Sequence, residues 1–148
     1  MKKLLFPLLL ALCVKFSPCQ INHPPSKQVM IVTCERFLDL FKSGKFDEAF
    51  DYLKPYTVIE DYKMDTLAYT AKRQMTALSG SFGKVIGFQQ VLQKEIPGTL
   101  DRLIYLMKYE RAFLAMRFTL YNNGSGWTIT RISYDEKTDE LFDSRPML

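Results

Sequence analysis

The sequence predicts an α+β domain, with three N-terminal helices packed on a curved four-stranded antiparallel sheet. Two observations carry that expectation. Apolar residues recur at helical spacing as far as Leu78, and from Lys84 onward the period shortens toward two in segments rich in β-branched and aromatic residues. A block of helices followed by a block of strands, rather than an alternation of the two, places the helices on one face of an antiparallel sheet.

The chain opens MKKLLFPLLLALCVKFSPCQ. Lys2 and Lys3 precede an apolar run from Leu4 to Val14, and the small residues Ser17 and Cys19 stand just before Gln20. This is the layout of a secretory signal peptide over residues 1–19, cut after Cys19, so an exported protein (periplasmic or secreted) is expected. The apolar run is about half the roughly 20 residues that span a bilayer, so no transmembrane anchor is expected. Lipid attachment at Cys13 or Cys19 is the alternative. Bacterial lipoprotein signals carry a small residue before the cysteine, whereas Leu12 and Pro18 stand there, so cleavage is the reading taken.

Residues 20–26 form a lead-in with two prolines and no apolar pattern. Ser26 is a suitable N-cap for the first helix. Met30, Cys34, Phe37, Leu38 and Phe41 then fall on one helical face, and Ser43-Gly44 ends the helix. FDEAFDYL forms a short second helix burying Ala49, Phe50 and Leu53, stopped by Lys54-Pro55. The third is expected from about Asp65 to Leu78, with Leu67, Ala68, Ala71, Met75 and Leu78 as its stripe and SGSFG as the closing loop. Four strands follow in KVIGFQQVLQKEI, LDRLIYLMKYERA, FLAMRFTLY and GWTITRISY. Pro97-Gly98, a polar break near Arg111, and NNGSG separate them, the last being the strongest turn signal because asparagine and glycine tolerate positive φ. The folded domain is expected over residues 27–140, with residues 141–148 as a C-terminal tail.

Charge and cysteine content narrow the function classes. The whole chain has 20 basic and 16 acidic residues, a net charge of +4. Lys2, Lys3 and Lys15 leave with the leader, so the mature chain is close to neutral at +1. No lysine-arginine patch remains of the kind that binds nucleic acid, and no nucleic-acid partner is expected. Cys34 is then the only cysteine, so no internal disulfide forms. About 125 residues bury roughly two thirds of their unfolded surface, enough for one self-sufficient domain.

FLDLFKSGKFDEAFDYLKP, the later SGSFGKVIGF and the final GWTITRISYD together resemble small exported bacterial domains of the nuclear transport factor 2-like (cystatin-like) superfamily. The likeness covers residues 27 to 136. It implies a sheet curled around the helices into a cone-shaped cavity, and it implies a fold rather than a reaction. Some members are isomerases or dehydratases, such as ketosteroid isomerase and scytalone dehydratase, while others only bind or dimerise.

The chemistry-bearing residues favour binding over catalysis. The isomerase type needs a carboxylate base and a tyrosine beside a protonated acid in an apolar cavity. Here Glu95, Asp101, Glu110 and Asp135 are expected near strand ends, open to water, and the sole histidine, His23, lies in the lead-in. Cys34 sits on a buried face with no histidine to activate it, so it reads as core. SGSFG lacks the Gly-Lys-Ser/Thr of a phosphate loop, and YDEKTDE lacks the spacing and central glycine of a calcium loop. No cofactor or metal is expected. The function expected is a non-enzymatic domain holding a small ligand, with an anion among the candidates, or a protein partner; a cavity isomerase or lyase is the alternative.

Two polar and apolar patterns point to where binding occurs. A regular hairpin across NNGSG pairs Arg117 with Arg131, which is unfavourable. Either a bulge after Ile129 separates them and turns Ile132 inward, or a nearby acid or an anionic ligand relieves them. The ligand-binding candidates are therefore Tyr105, Arg117, Trp127 and Arg131. The third strand and LIYLMKY are also apolar on both faces, which predicts either a homodimer through the outer sheet face or a C-terminal tail folded over it.

Overall fold

A computed structural model describes residues 25–142. The expected leader with Cys13 and Cys19, the start of the lead-in with His23, and residues 143–148 of the tail lie outside the described residues.

The first helix, α1 (Lys27–Lys42), begins where Ser26 Oγ accepts from the Val29 N–H at 3.3 Å. It ends in a glycine stop: Gly44 adopts φ +73, its N–H donates to Phe41 C=O, and the next N–H, of Lys45, donates back to Leu40 C=O. Met30, Cys34, Phe37, Leu38 and Phe41 are all buried, as their spacing predicts. Helix α2 (Phe46–Leu53) buries Ala49, Phe50 and Leu53, and a one-turn 3₁₀ segment over Lys54–Tyr56 carries the chain past Pro55.

Helix α3 (Asp61–Phe82) is longer at both ends than its apolar stripe suggests. The SGSFG segment does not form the closing loop; Ser79 to Phe82 complete the last helical turn, and only Gly83, at φ +77, leaves it. Tertiary contacts override the weak helix propensity of Ser-Gly-Ser. Phe82 is buried, and the Arg111 guanidinium caps the helix end by donating to Gly80 C=O at 2.6 Å and Ser81 C=O at 3.0 Å. A side chain at Gly83 is disfavoured by the positive φ, and its Cβ would also crowd the Glu110 side chain, 3.0 Å from Glu110 Cβ.

The strands β1 (Val85–Ile96), β2 (Leu100–Tyr109), β3 (Phe113–Asn122) and β4 (Trp127–Asp135) form an antiparallel meander in sequence order. Bulges interrupt β1 near Ile86 and Val91, and β4 at Thr130, and they bend the sheet around the helices. A bulge follows Ile129 as expected, but the hairpin register is not the expected one: Asn122 rather than Tyr121 pairs with Trp127, which by itself takes Arg117 off Arg131. Leu120 pairs with Ile129 and Thr119 with Arg131, so Arg117 falls opposite Ser133 rather than opposite Arg131, and Ile132 turns inward to 8% exposure. A further one-turn helix, α4 (Asp139–Phe142), follows β4.

The helices cover one face of the sheet, with α1 touching β1, β3 and β4. Its concave side is filled rather than hollow at the centre. Phe37 meets Phe50 and Phe118 edge-on at 5.1 and 5.6 Å, and Tyr105 meets Phe118 and Phe88 edge-on at 6.1 Å each. No helix among the described residues is long and apolar enough to cross a membrane.

Candidate functional site

The open space lies at one end of the sheet. Helix α3 packs chiefly on α2 and meets the sheet at its C-terminal end, where Phe82 lies edge-on to Tyr109 at 5.2 Å. Between them runs a cleft of about 550 Å³. Phe41, Phe46, Met75, Leu78, Phe82 and Tyr109 give it an apolar floor. The size is within the range of small-molecule sites. Burial pushes the Tyr109 phenol up, and its hydroxyl reaches only Met75 Sδ, at 3.5 Å.

Charge sits on the rim. Lys42 pairs with Asp39 at 3.0 Å and also lies 5.4 Å from the Phe88 ring. Lys84 lines the cleft, is exposed, and has no carboxylate within ion-pair distance among the described residues. Its backbone N–H donates to Glu110 Oε2 at 3.1 Å, which ties the start of β1 to the end of β2. The cleft is thus an apolar trough with cations at its edge and one carboxylate already engaged by backbone.

None of the four residues expected from the sequence to bind a ligand lines this cleft, and the fold does not gather them at one point. Tyr105 is 1% exposed in the aromatic interior, where burial and then the negative charge of Glu35 push its phenol well up; its hydroxyl has no hydrogen-bond partner among the described residues. Trp127 sits at the start of β4, its N–H donating to Pro25 C=O at 2.9 Å, with the Lys27 ammonium 5.5 Å from its ring. Arg117 and Arg131 do share a place, but on the outer face, across the sheet from Tyr105.

Arg117 is held by its own chain. Its Nη1 donates to Asp135 Oδ1 at 2.8 Å, its Nη2 to Lys137 C=O at 2.7 Å and its Nε to Glu140 Oε1 at 3.2 Å. Burial alone would raise the Asp135 carboxyl, but the Lys137 N–H and Arg117 hold it below its ordinary value. Arg117 therefore staples the C-terminal segment to the sheet as far as α4, where Phe142 remains 82% exposed.

Asp101 is a correction. Expected at a wet strand end, it is fully buried on the inner face. Its Oδ2 accepts from Gln93 Nε2 at 2.6 Å and lies 3.7 Å from Lys27 Nζ, which itself pairs with Glu95 at 2.7 Å. Its Oδ1 has no partner. The signal was in the alternation of LDRLIYLMKY, where Asp101 shares parity with buried Leu103, Tyr105 and Met107. Cys34 is core as expected, fully buried, its thiol pushed well up by burial. Compared with family models, with characterised proteins and with solved structures, the chain has no match.

Proposed function

We propose that this is an exported, non-enzymatic binding domain of the nuclear transport factor 2-like plan, whose ligand has an elongated apolar body and an anionic head. The order of elements supports the plan: three helices, then a four-stranded meander curved around them. The cleft between α3 and the sheet carries the ligand reading. Its aromatic and aliphatic floor suits an acyl chain, and the unpaired Lys84 with Lys42 at the rim suits a carboxylate head. Binding rather than turnover is favoured by the lining, since its only ionisable groups are two lysines, a buried tyrosine and a glutamate engaged by backbone.

Titration of laurate into the purified domain, read by calorimetry, tests this. Laurate binds the wild type in this reading, Lys84→Glu weakens it roughly tenfold, and Leu78→Lys abolishes it. Failure of laurate to bind, or equal binding by all three proteins, overturns the reading.

A further inference from the structure

The outer face of the sheet presents a different chemistry from the cleft. The register aligns Lys94 of β1, Arg102 of β2, Thr119 of β3 and Arg131 of β4 in one row across all four strands. Arg102 and Arg131 flank Thr119 from its two sides, and like charges brought this close oppose one another unless something negative lies between them. Arg117 and Ser133 stand one row away, directly opposite each other. Three arginines (Arg102, Arg117 and Arg131), Thr119, Ser133 and two carboxylates, Asp135 and Glu140, line a small hollow of about 170 Å³.

The donors in this hollow are unequally used. Arg117 is saturated by Asp135, Lys137 and Glu140. Arg102 has one acidic neighbour, Glu140 Oε2, at the long distance of 3.6 Å. Arg131 is exposed and has no ion pair among the described residues, and the hydroxyls of Thr119 and Ser133 donate to nothing there. Glu140 reaches the hollow from α4, a helix of only 4 residues. Its planar carboxylate touches two guanidinium groups and leaves the third, with both hydroxyls, unmet.

We propose that this hollow is a phosphate-type oxyanion site and that Glu140 is its internal occupant, displaced when the ligand binds. A tetrahedral dianion presents oxygens in several directions at once, so it can engage Arg102, Arg131, Thr119 and Ser133 where one carboxylate cannot. The volume is ample for a phosphoryl group, and the hollow opens to solvent, so the body of a larger ligand projects outward. Displacing Glu140 leaves the C-terminal segment attached, because Arg117 keeps Asp135 and the Lys137 carbonyl. The site is independent of the cleft, which opens on the opposite side of the sheet.

Calorimetric titration of inorganic phosphate into the full chain tests the assignment, with thermal unfolding as the control for an intact fold. Phosphate binds wild type weakly, and Glu140→Gln tightens it roughly tenfold by removing the competing charge. Arg102→Gln with Arg131→Gln abolishes binding, as does Thr119→Val to a lesser degree; these side chains are exposed or half-buried, so the fold survives their loss. Sedimentation with phosphatidylcholine vesicles, with and without phosphatidic acid, identifies the source of the phosphate. Vesicle binding that inorganic phosphate reverses assigns a lipid headgroup, and phosphate binding without vesicle binding assigns a soluble ligand. No binding by Glu140→Gln, or equal affinity in wild type, Glu140→Gln and the double arginine variant, overturns the proposal.

Discussion

Asp101 is a fully buried carboxylate whose charge is only partly met. A carboxylate with no exposed surface and one oxygen unpartnered costs free energy in its charged form, and burial accordingly raises its pKa, with Gln93 and Lys27 opposing that rise. An acid raised in the folded state favours folding below its unfolded value, about 4, and loses that contribution as pH climbs through its folded value. Asp101→Asn removes the titration while keeping an oxygen for Gln93. Urea midpoints measured at acidic and at neutral pH should show wild type losing ground to Asp101→Asn as pH rises. A gap that does not change with pH means the carboxyl is not the source. This residue also marks the limit of what strand patterning alone could tell. Parity placed Asp101 on the inner face, but position near a strand end argued for water, and only the packing of the Lys27 end of α1 against β1 and β2 closes that end. The four candidate ligand residues failed to converge for a related reason: sequence spacing does not say which face of β3 a residue shares with β2 until the register is known.

At the scale of elements, the C-terminal turn of α3 is where tertiary structure outweighs local preference. Its periodicity fades after Leu78 because Ser79, Gly80 and Ser81 carry no apolar side chain, so the helix end was illegible there, whereas α1 and α2, stopped by Gly44 and Pro55, were legible to the residue. The β4 bulge was legible from the Ile129-x-x-Ile132 spacing, but the hairpin register was not: Asn122 rather than Tyr121 pairs with Trp127, which already separates Arg117 from Arg131. What holds the last turn of α3 is remote in sequence: Arg111 donates to two of its terminal carbonyls, and its own N–H donates to Phe82 C=O at 3.0 Å. Arg111→Ala leaves those carbonyls to water and should cost about 1 kcal/mol, read as a lower denaturation midpoint. Amide exchange should quicken at residues 79–83 and stay unchanged in α1. Because Ser79, Phe82 and Gly83 line the cleft, laurate affinity should fall in the same variant. Unchanged exchange in that turn would show that Phe82 packing alone secures it.

For the whole molecule, the outer sheet face decides how copies of the chain meet. Counting apolar residues on β2 and β3 suggested a face free to pair with a second copy. In the folded chain Ile104 and Ala115 on that face are fully buried and Leu106 and Phe113 are half-buried, while the row of Lys94, Arg102 and Arg131 crosses it with α4 beside it. A two-fold axis through that face brings the cationic rows of two copies toward each other, and at low ionic strength their repulsion is barely screened. The edges give little help. β4 is partly covered by Thr57, whose neighbour Val58 donates to Ile129 C=O at 3.2 Å, and β1 is kinked by its bulges near Ile86 and Val91, a device that discourages strand pairing between chains. Native mass spectrometry of the protein recovered from its producing cell, in a volatile buffer of low ionic strength free of phosphate and sulfate, should therefore give one chain at every concentration, beginning at Gln20 if export removes the leader. A dimer that persists under those conditions would mean that the cationic row is neutralised from within the pair, and the outer face would then be an interface and not an anion site.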